Sequence, residues 1–220
     1  MNPGQAAAFV RAHTRLTRPS RVPELRLHLA DEAFGLWKQT ETELGSAEVP
    51  PPYWAFAWPG GQALARYLLD DPVLARDRRV LDLGSGSGLV AIAAARAGAR
   101  EVTASELDVL AQAAIALNAE ANGVKVQVTA EDVFERDGEG ADLVLAGDLF
   151  YEQPLADRVM DFLERASARG STVLAGDPGR EYLRRPRFEA LASYEVPVPL
   201  GLEDRAVKVA TVLRPLGRLG

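Results

Sequence analysis

The stretch Val80-Leu81-Asp82-Leu83-Gly84-Ser85-Gly86-Ser87-Gly88 decides the fold. Its apolar first half predicts a buried strand, and the alanine-rich run at 89–97 predicts a helix that ends near Gly98. Glycines between a strand and a helix let the backbone approach a ligand closely, and the helix N terminus presents unpaired N–H groups. The stretch therefore predicts a ligand-binding strand, loop and helix.

The pattern of strand and helix continues along the chain. Further strands are predicted at 101–106, 125–129, 142–146 and 171–175, and further helices at 109–121 and 154–168. This alternation indicates a parallel sheet with helices on both faces. Two strand-like runs at 194–198 and 206–213 have no helix between them and predict an antiparallel hairpin. The fold class is therefore α/β: a Rossmann-like, seven-stranded, mostly parallel sheet with a C-terminal antiparallel hairpin.

The first part of the chain has a different pattern. Residues 25–29 alternate like a strand, and a segment rich in tryptophan precedes a helix predicted at 62–69. We therefore expect residues 1–60 to form an N-terminal extension and residues 61–220 to form the cofactor-binding domain.

Composition excludes several classes of protein. The chain has 220 residues, 47% hydrophobic and 25% charged, without an apolar run long enough to cross a bilayer and without the features of a secretory signal at its start. With no cysteine and two histidines, we expect neither disulfides nor a metal site. The net charge of −6 argues against a nucleic acid partner. These features predict a cytoplasmic monomer without a membrane partner.

Acidic residues near the glycine loop indicate the kind of ligand. A carboxylate at Asp82 would repel a pyrophosphate, but it can accept a hydrogen bond from the amino group of S-adenosylmethionine. Glu106, after the next strand, has nearly the spacing of a carboxylate that binds ribose hydroxyls. Asp132, with Val133 beside it, has the position to meet adenine. The alternatives are that Asp82 and Asp132 serve as turn residues and that Glu106 is an exposed strand end.

Two more segments carry a family resemblance. Pro52-Tyr53-Trp54-Ala55-Phe56-Ala57-Trp58-Pro59-Gly60-Gly61-Gln62-Ala63-Leu64-Ala65 and Asp148-Leu149-Phe150-Tyr151-Glu152 resemble two motifs of class I (seven-strand) protein-lysine methyltransferases. With the glycine loop, they most resemble the bacterial form of the electron transfer flavoprotein β-subunit lysine methyltransferases. The resemblance implies S-adenosylmethionine as cofactor and a lysine of the electron transfer flavoprotein β subunit as acceptor.

The resemblance also implies roles for residues. The cofactor-binding set comprises Trp54, Trp58, Asp82, Gly84, Ser85, Gly86, Glu106, Asp132, Val133 and Asp148. The catalytic set comprises Asp148, Tyr151 and Glu152, which would hold the acceptor amine and line its channel; Phe56 is expected in the core. A ribosomal-protein lysine methyltransferase, a small-molecule methyltransferase, a nicotinamide dehydrogenase and a non-catalytic binding module stay open as alternatives.

Overall fold

Helices and strands alternate along most of the chain in the computed structural model, which describes residues 1–31, 33–44, 51–135, 140–198 and 203–216. The helices are α1 (Pro3–His13), α2 (Ala33–Leu44), α3 (Pro59–Asp70), α4 (Leu89–Arg96), α5 (Val109–Ala121) and α6 (Gln153–Ala168). The strands are β1 (Arg15–Thr17), β2 (Leu27–Leu29), β3 (Arg79–Leu83), β4 (Glu101–Ser105), β5 (Gln127–Thr129), β6 (Leu143–Gly147), β7 (Thr172–Asp177), β8 (Phe188–Pro197) and β9 (Val207–Pro215).

The main sheet has seven strands in the order β5-β4-β3-β6-β7-β9-β8. Strands β3 to β7 pair in parallel, whereas β9 pairs antiparallel with both β7 and β8. The chain builds outward from β3 to β5, returns to place β6 on the other side of β3, and ends in the predicted hairpin. The predicted fold class is confirmed.

Helices cover both faces of this sheet. Alternate residues of each strand point to opposite faces. Val80 and Leu143 belong to one buried cluster with side chains of α3 and α4, whereas Leu81 and Val144 belong to a second cluster with side chains of α6. The central strands are thus buried on both faces, which explains why they are continuous apolar runs rather than alternating ones.

The two outermost strands depart most from the sequence prediction. β5 begins at Gln127 rather than at 125, and Val128 in its middle is 36% exposed. β8 begins at Phe188 rather than at 194. Its first half was not predicted as a strand because a register shift between Ala190 and Ala192 breaks the alternation of buried and exposed residues there. Edge strands are only partly buried, so their patterns carry less information.

The N-terminal part packs on the same core. Asn2 and Gln5 form a reciprocal capping box at the start of α1, and Phe9 and Val10 of that helix are buried against α5. Strands β1 and β2 form a separate two-stranded antiparallel sheet. The domain boundary expected after residue 60 falls inside α3, and the division itself stays a prediction.

No helix within the described ranges is both long and apolar enough to cross a membrane. Across those same ranges, His, Asp and Glu side chains form no group of three or more that could hold a metal ion.

Candidate active site

A cavity of about 1110 Å³ opens beyond the carboxyl ends of β3, β4, β5 and β6. This is the point at which the strand order reverses, where ligands of open α/β sheets bind. The cavity is lined by most of the predicted site residues, namely Trp54, Trp58, Gly84, Gly86, Glu106, Asp132, Val133, Asp148, Tyr151 and Glu152.

The glycine loop forms one wall of the cavity. Gly84 and Gly86 have φ values of +51° and +53°, a region that residues with side chains rarely adopt. A Cβ atom on Gly84 would also lie 2.7 Å from the Leu149 side chain. Only glycine therefore allows the loop to turn here and leave its backbone open to a ligand.

Asp82 and Ser85 lie beneath the loop rather than at the cavity wall. Asp82 is 1% exposed, and its Oδ2 accepts hydrogen bonds from the Ser85 hydroxyl and, at 3.1 Å, from the Ala91 amide. Burial raises the pKa of Asp82 to about 7, although these hydrogen bonds oppose the rise. The contacts in the structure make Asp82 a support of the glycine loop, and its direct contact with an ammonium group stays a prediction.

Glu106 connects β4 to the glycine loop. Its Oε2 accepts a 2.9 Å hydrogen bond from the Gly86 amide, and its Oε1 accepts from the amides of Leu107 and Asp108 at 2.8 and 3.1 Å. Burial raises the pKa of Glu106, and the hydrogen bonds from Asp108 and Gly86 oppose that rise. A carboxylate has about four acceptor sites, so Oε2 can still accept from a ribose hydroxyl.

Asp132 lies at the far end of the cavity, with buried Val133 beside it. Its Oδ2 accepts a 2.6 Å hydrogen bond from Arg158, and its Oδ1 accepts from the Phe134 amide at 3.1 Å. The bond from Arg158 lowers the pKa of Asp132, so the carboxylate stays ionised at neutral pH. Oδ1 keeps capacity to accept from an adenine amino group.

The tryptophan segment contributes an aromatic wall. Trp54 is 2% exposed, packs with Phe56 in a core cluster, and has a buried Nε1 without a hydrogen-bond partner among the described residues. Trp58 is half-buried, and its Nε1 donates to the Tyr53 carbonyl at 2.8 Å. Trp54 is therefore part of the core and of the cavity wall, whereas Phe56 is buried as predicted.

Asp148 is the most constrained side chain of the site. It has a φ of +60° and is 5% exposed at the end of β6. Its Oδ2 accepts from the amides of Gly60 and Gly61 at the N terminus of α3, and its Oδ1 accepts from Arg180 Nε at 2.8 Å. Burial raises the pKa of Asp148, and the adjacent Arg180 counteracts that rise. With donors on both oxygens, Asp148 is suited to hold geometry rather than to take up a proton.

Tyr151 and Glu152 line the opening beside Asp148. The Tyr151 ring lies 5.1 Å from the Tyr53 ring, centroid to centroid. Burial, reinforced by Tyr53 and Glu152, raises the pKa of Tyr151 to about 12. Its hydroxyl therefore stays protonated near neutral pH and can donate a hydrogen bond, while Glu152 is exposed at the rim.

Arg180 is a cavity residue that the sequence analysis missed. Its guanidinium pairs with Asp148 and with Glu203, at 2.7 and 2.6 Å from Nη2, and lies 5.5 Å from the centre of the Trp58 ring. Asp177 at the end of β7 accepts from the Arg180 amide at 2.7 Å. The sequence feature that could have identified Arg180 is the run Asp177-Pro178-Gly179-Arg180. It begins at the last residue of β7, the strand next to β6, and so lies at the ligand-binding edge of the sheet.

The charged side chains of the cavity indicate which kind of ligand it can bind. Its described charged residues are five carboxylates and one guanidinium, namely Glu106, Asp108, Asp132, Asp148, Glu152 and Arg180. This excess of negative charge disfavours a pyrophosphate and favours a cation. The cavity offers Glu106 as an acceptor for ribose, Asp132 as an acceptor for adenine and a glycine backbone that a ligand can approach closely. The Trp54 N–H, which has no partner among the described residues, lies in the same wall. These features fit a sulfonium nucleoside. The residues present therefore fit S-adenosylmethionine, and they argue against a nicotinamide dinucleotide.

Comparisons with known proteins agree with this geometry. Residues 63–176 match the family described as ribosomal protein L11 methyltransferase (PrmA). The electron transfer flavoprotein beta subunit lysine methyltransferase of Xenopus laevis is 43% identical over 198 residues, covering 86% of this chain and 78% of the relative. Its counterpart from Mus musculus is 36% identical over 215 residues, covering 93% and 82%. The ribosomal protein L11 methylase of Lactobacillus delbrueckii subsp. bulgaricus has a similar fold, with a TM-score of 0.51 at 20% identity over 73% of this chain and 80% of that one.

Fold, cavity and relatives define the class of protein: an S-adenosylmethionine-dependent protein-lysine methyltransferase. The chain belongs to the family of electron transfer flavoprotein β-subunit lysine methyltransferases. The two relatives that show this are animal proteins, so they do not support the bacterial affiliation predicted from the sequence.

Replacing Glu106 with alanine should weaken cofactor binding about ten- to a hundredfold. The change removes a carboxylate that can bind a ribose hydroxyl, and hydrogen bonds to charged groups contribute about 1.5–3 kcal/mol. It also removes the acceptor of the Gly86 amide, which holds the loop. Titration calorimetry with S-adenosylmethionine measures the effect, and Glu101→Gln, at the exposed opposite end of β4, is the control. An unchanged affinity would remove Glu106 from the cofactor site.

Proposed function

We propose that this enzyme methylates a lysine side chain of the electron transfer flavoprotein β subunit. The identity of 43% to a relative of that name, over 78% of the relative's length, carries the proposal. The cavity supports it, because Gly84, Gly86 and Glu106 line the same cavity as Asp148 and Tyr151. One cavity of about 1110 Å³ therefore brings together the residues proposed for the methyl donor and those proposed for the acceptor.

The reaction is an in-line displacement at a methyl carbon. S-adenosylmethionine supplies an activated methyl group on a sulfonium. A bond forms between the lysine nitrogen and the methyl carbon, the carbon–sulfur bond breaks with its electron pair going to sulfur, and a proton leaves the nitrogen to solvent. The protein contributes positioning and exclusion of water.

The acceptor lysine must lose a proton before it reacts, because its free pKa of about 10.4 leaves it charged at neutral pH. An apolar channel lowers that pKa by penalising the charged form. Leu149 and the aromatic rings of Tyr53 and Tyr151 supply such a wall. Tyr151 can donate a hydrogen bond but cannot act as a base, given its raised pKa. We assign Asp148, whose oxygens are held by Gly60, Gly61 and Arg180, to orientation of the amine through the shape of the channel. Glu152, at the rim, is assigned to attraction of the incoming lysine ammonium.

The direct test uses purified wild-type enzyme, labelled S-adenosylmethionine and purified electron transfer flavoprotein. We expect label in the β subunit, and mass spectrometry of its peptides should place it on lysine. Ribosomal protein L11 is the comparison substrate, because the family match over residues 63–176 favours it as the second candidate. Label in L11 with none in the β subunit would contradict the proposed acceptor and favour ribosomal protein L11 instead. Label in neither protein would contradict both.

A bacterial source, a cytoplasmic location and a monomeric state stay predictions. Size-exclusion chromatography with light scattering tests the last of these at a mass of 23.7 kDa.

A further inference from the structure

Arg180 is a cation in the cavity wall that the proposed chemistry does not yet use. Its side chain is 19% exposed, and it contacts three separate parts of the chain: Asp148 after β6, Glu203 before β9 and the Trp58 ring before α3. Burial alone would lower the pKa of Arg180, but Asp148 and Glu203 raise it above its usual value. The guanidinium therefore stays charged, and its contacts hold it beside the acceptor end of the cavity.

Charge at this position affects the acceptor lysine directly. An unpaired carboxylate at Asp148 would stabilise a lysine ammonium in the channel and raise its pKa. Each unit of increase leaves tenfold less neutral amine at a pH well below the pKa. Asp148 would then bind the substrate in the form that cannot react.

We propose that Arg180 is a positioning residue that neutralises Asp148, so that the acceptor lysine enters the channel as its neutral amine. The inference rests on the proposed lysine methylation and adds a residue to it. Nη1 and Nη2 of Arg180 reach both oxygens of Glu203, and its Nε and Nη2 reach Oδ1 of Asp148. A planar guanidinium is suited to hold two carboxylates in this way, whereas an ammonium is not.

The other charged groups around Arg180 leave this balance intact. Lys208 Nζ lies 3.5 Å from Glu203 and also pairs with Asp204, so two cations face the buried Asp148 and Glu203 and the solvent-exposed Asp204. Asp177 lies on the backbone side of Arg180, where burial raises the pKa of Asp177 to about 6. From the other cavity elements, Glu152 faces the rim, and Tyr53, Tyr151 and Glu106 face the space between the rim and the cofactor wall. These groups are common to wild type and variants, but the pKa of Asp177 is itself lowered by the Arg180 charge, so the double variant Asp148→Asn/Arg180→Gln separates its contribution from that of Asp148.

The first test is the pH dependence of kcat/KM. We expect Arg180→Gln to move the midpoint of the acid limb up by about one pH unit, with a rate about tenfold lower at neutral pH and a smaller deficit at high pH. Arg180→Lys keeps the charge but cannot bridge both carboxylates in the same way, so it should recover only part of the shift. Arg184→Gln, which removes an exposed arginine paired with Asp157, is the matched control. Parallel profiles for wild type and Arg180→Gln would overturn the proposal.

A second readout needs no methyl transfer. In Arg180→Gln, Asp148 is a buried carboxylate without its cation, so its folded-state pKa lies above the unfolded value of about 3.9. Stability is then lost as the pH rises from that unfolded value through the folded-state pKa, and the loss disappears only below about pH 3.9. We expect a deficit in Tm at pH 8 that exceeds the deficit at pH 5 by roughly 4 °C. The double variant Asp148→Asn/Arg180→Gln should lose the part of this pH dependence that Asp148 causes and keep only the part from Asp177, whose pKa the Arg180 charge also lowers.

The two readouts separate this inference from the proposed acceptor. Wild-type enzyme that leaves the flavoprotein β subunit unlabelled would contradict the acceptor, while the Tm comparison still decides the role of Arg180. Wild-type labelling together with a pH-independent Tm deficit in Arg180→Gln would contradict only the charge-neutralising role.

Discussion

Asp148→Asn is expected to lower the rate of methyl transfer at least a hundredfold while cofactor affinity stays within about threefold of wild type. Both oxygens of Asp148 face donors: the Gly60 and Gly61 amides on one side and Arg180 on the other. An asparagine has one acceptor and one donor, so whichever way it turns it points N–H groups at a donor. The acceptor channel must then shift, and displacements near 1 Å can cost about a hundredfold in rate.

The measurement for Asp148 pairs single-turnover transfer with calorimetry. Cofactor affinity should survive because Glu106, Asp132 and the glycine loop lie on other strands. Asp157→Asn, an exposed carboxylate of α6 paired with Arg184, is the control for removal of a charge. Transfer by Asp148→Asn at the wild-type rate would show that the assignment is wrong, whereas an equal loss of cofactor affinity would place Asp148 in the cofactor site alone.

The central strands of the sheet could be predicted because they are buried on both faces. β3, β6 and β7 are short apolar runs, and each is followed by glycine, aspartate or proline at the ligand-binding edge. The same logic located Glu106 and Asp132 on the cavity, since carboxyl ends of parallel strands converge at one edge. Apolar runs and the order of strands and helices along the chain are features of the sequence itself, so both could be recognised without the structure.

The contacts of Asp82 and Arg180 could not be predicted in this way. Asp82 lies near the end of β3, as expected, but the direction of its side chain depends on the Ser85 hydroxyl and the Ala91 amide, which donate to it beneath the loop. Arg180 meets Glu203 only because the hairpin of β8 and β9 folds back beside β7. Pairings between distant segments are set by tertiary packing rather than by local pattern.

Helix α1 carries a clear structural pattern in its sequence. Asn2 and Gln5 form a capping box, Pro3 lies in the first turn, and Ala6, Phe9 and Val10 follow at spacings of three and four residues. These residues predict a short amphipathic helix. The N-terminal part of the sequence therefore carries a structural motif for a helix, although the sequence analysis identified no functional motif there.

Helix α3 approaches β7 unusually closely beside Asp148. A Cβ atom on Gly60 would lie 2.2 Å from the Gly176 carbonyl oxygen and 2.6 Å from Asp148 Oδ2. Gly176 belongs to a strand hydrogen-bonded to β6 and β9, so its backbone has little freedom to move. The fit allows the first amides of α3 to donate to Asp148, and a carboxylate at a helix N terminus is favourable.

Gly60→Ala should therefore lower the free energy of unfolding by about 3 kcal/mol, at the upper end of overpacking costs. For a chain of this size, that corresponds to a drop in Tm of roughly 6–12 °C. Methyl transfer should fall with it, because α3 must move away from the oxygen that its amides bind. Gly61→Ala is a matched control one residue along the helix: its Cβ would lie 3.6 Å from Leu89, an ordinary contact, so Tm should be unchanged or slightly higher. Equal Tm values for the two variants, measured by calorimetry, would show that α3 can withdraw from β7 at no cost and that Asp148 is not held by this contact.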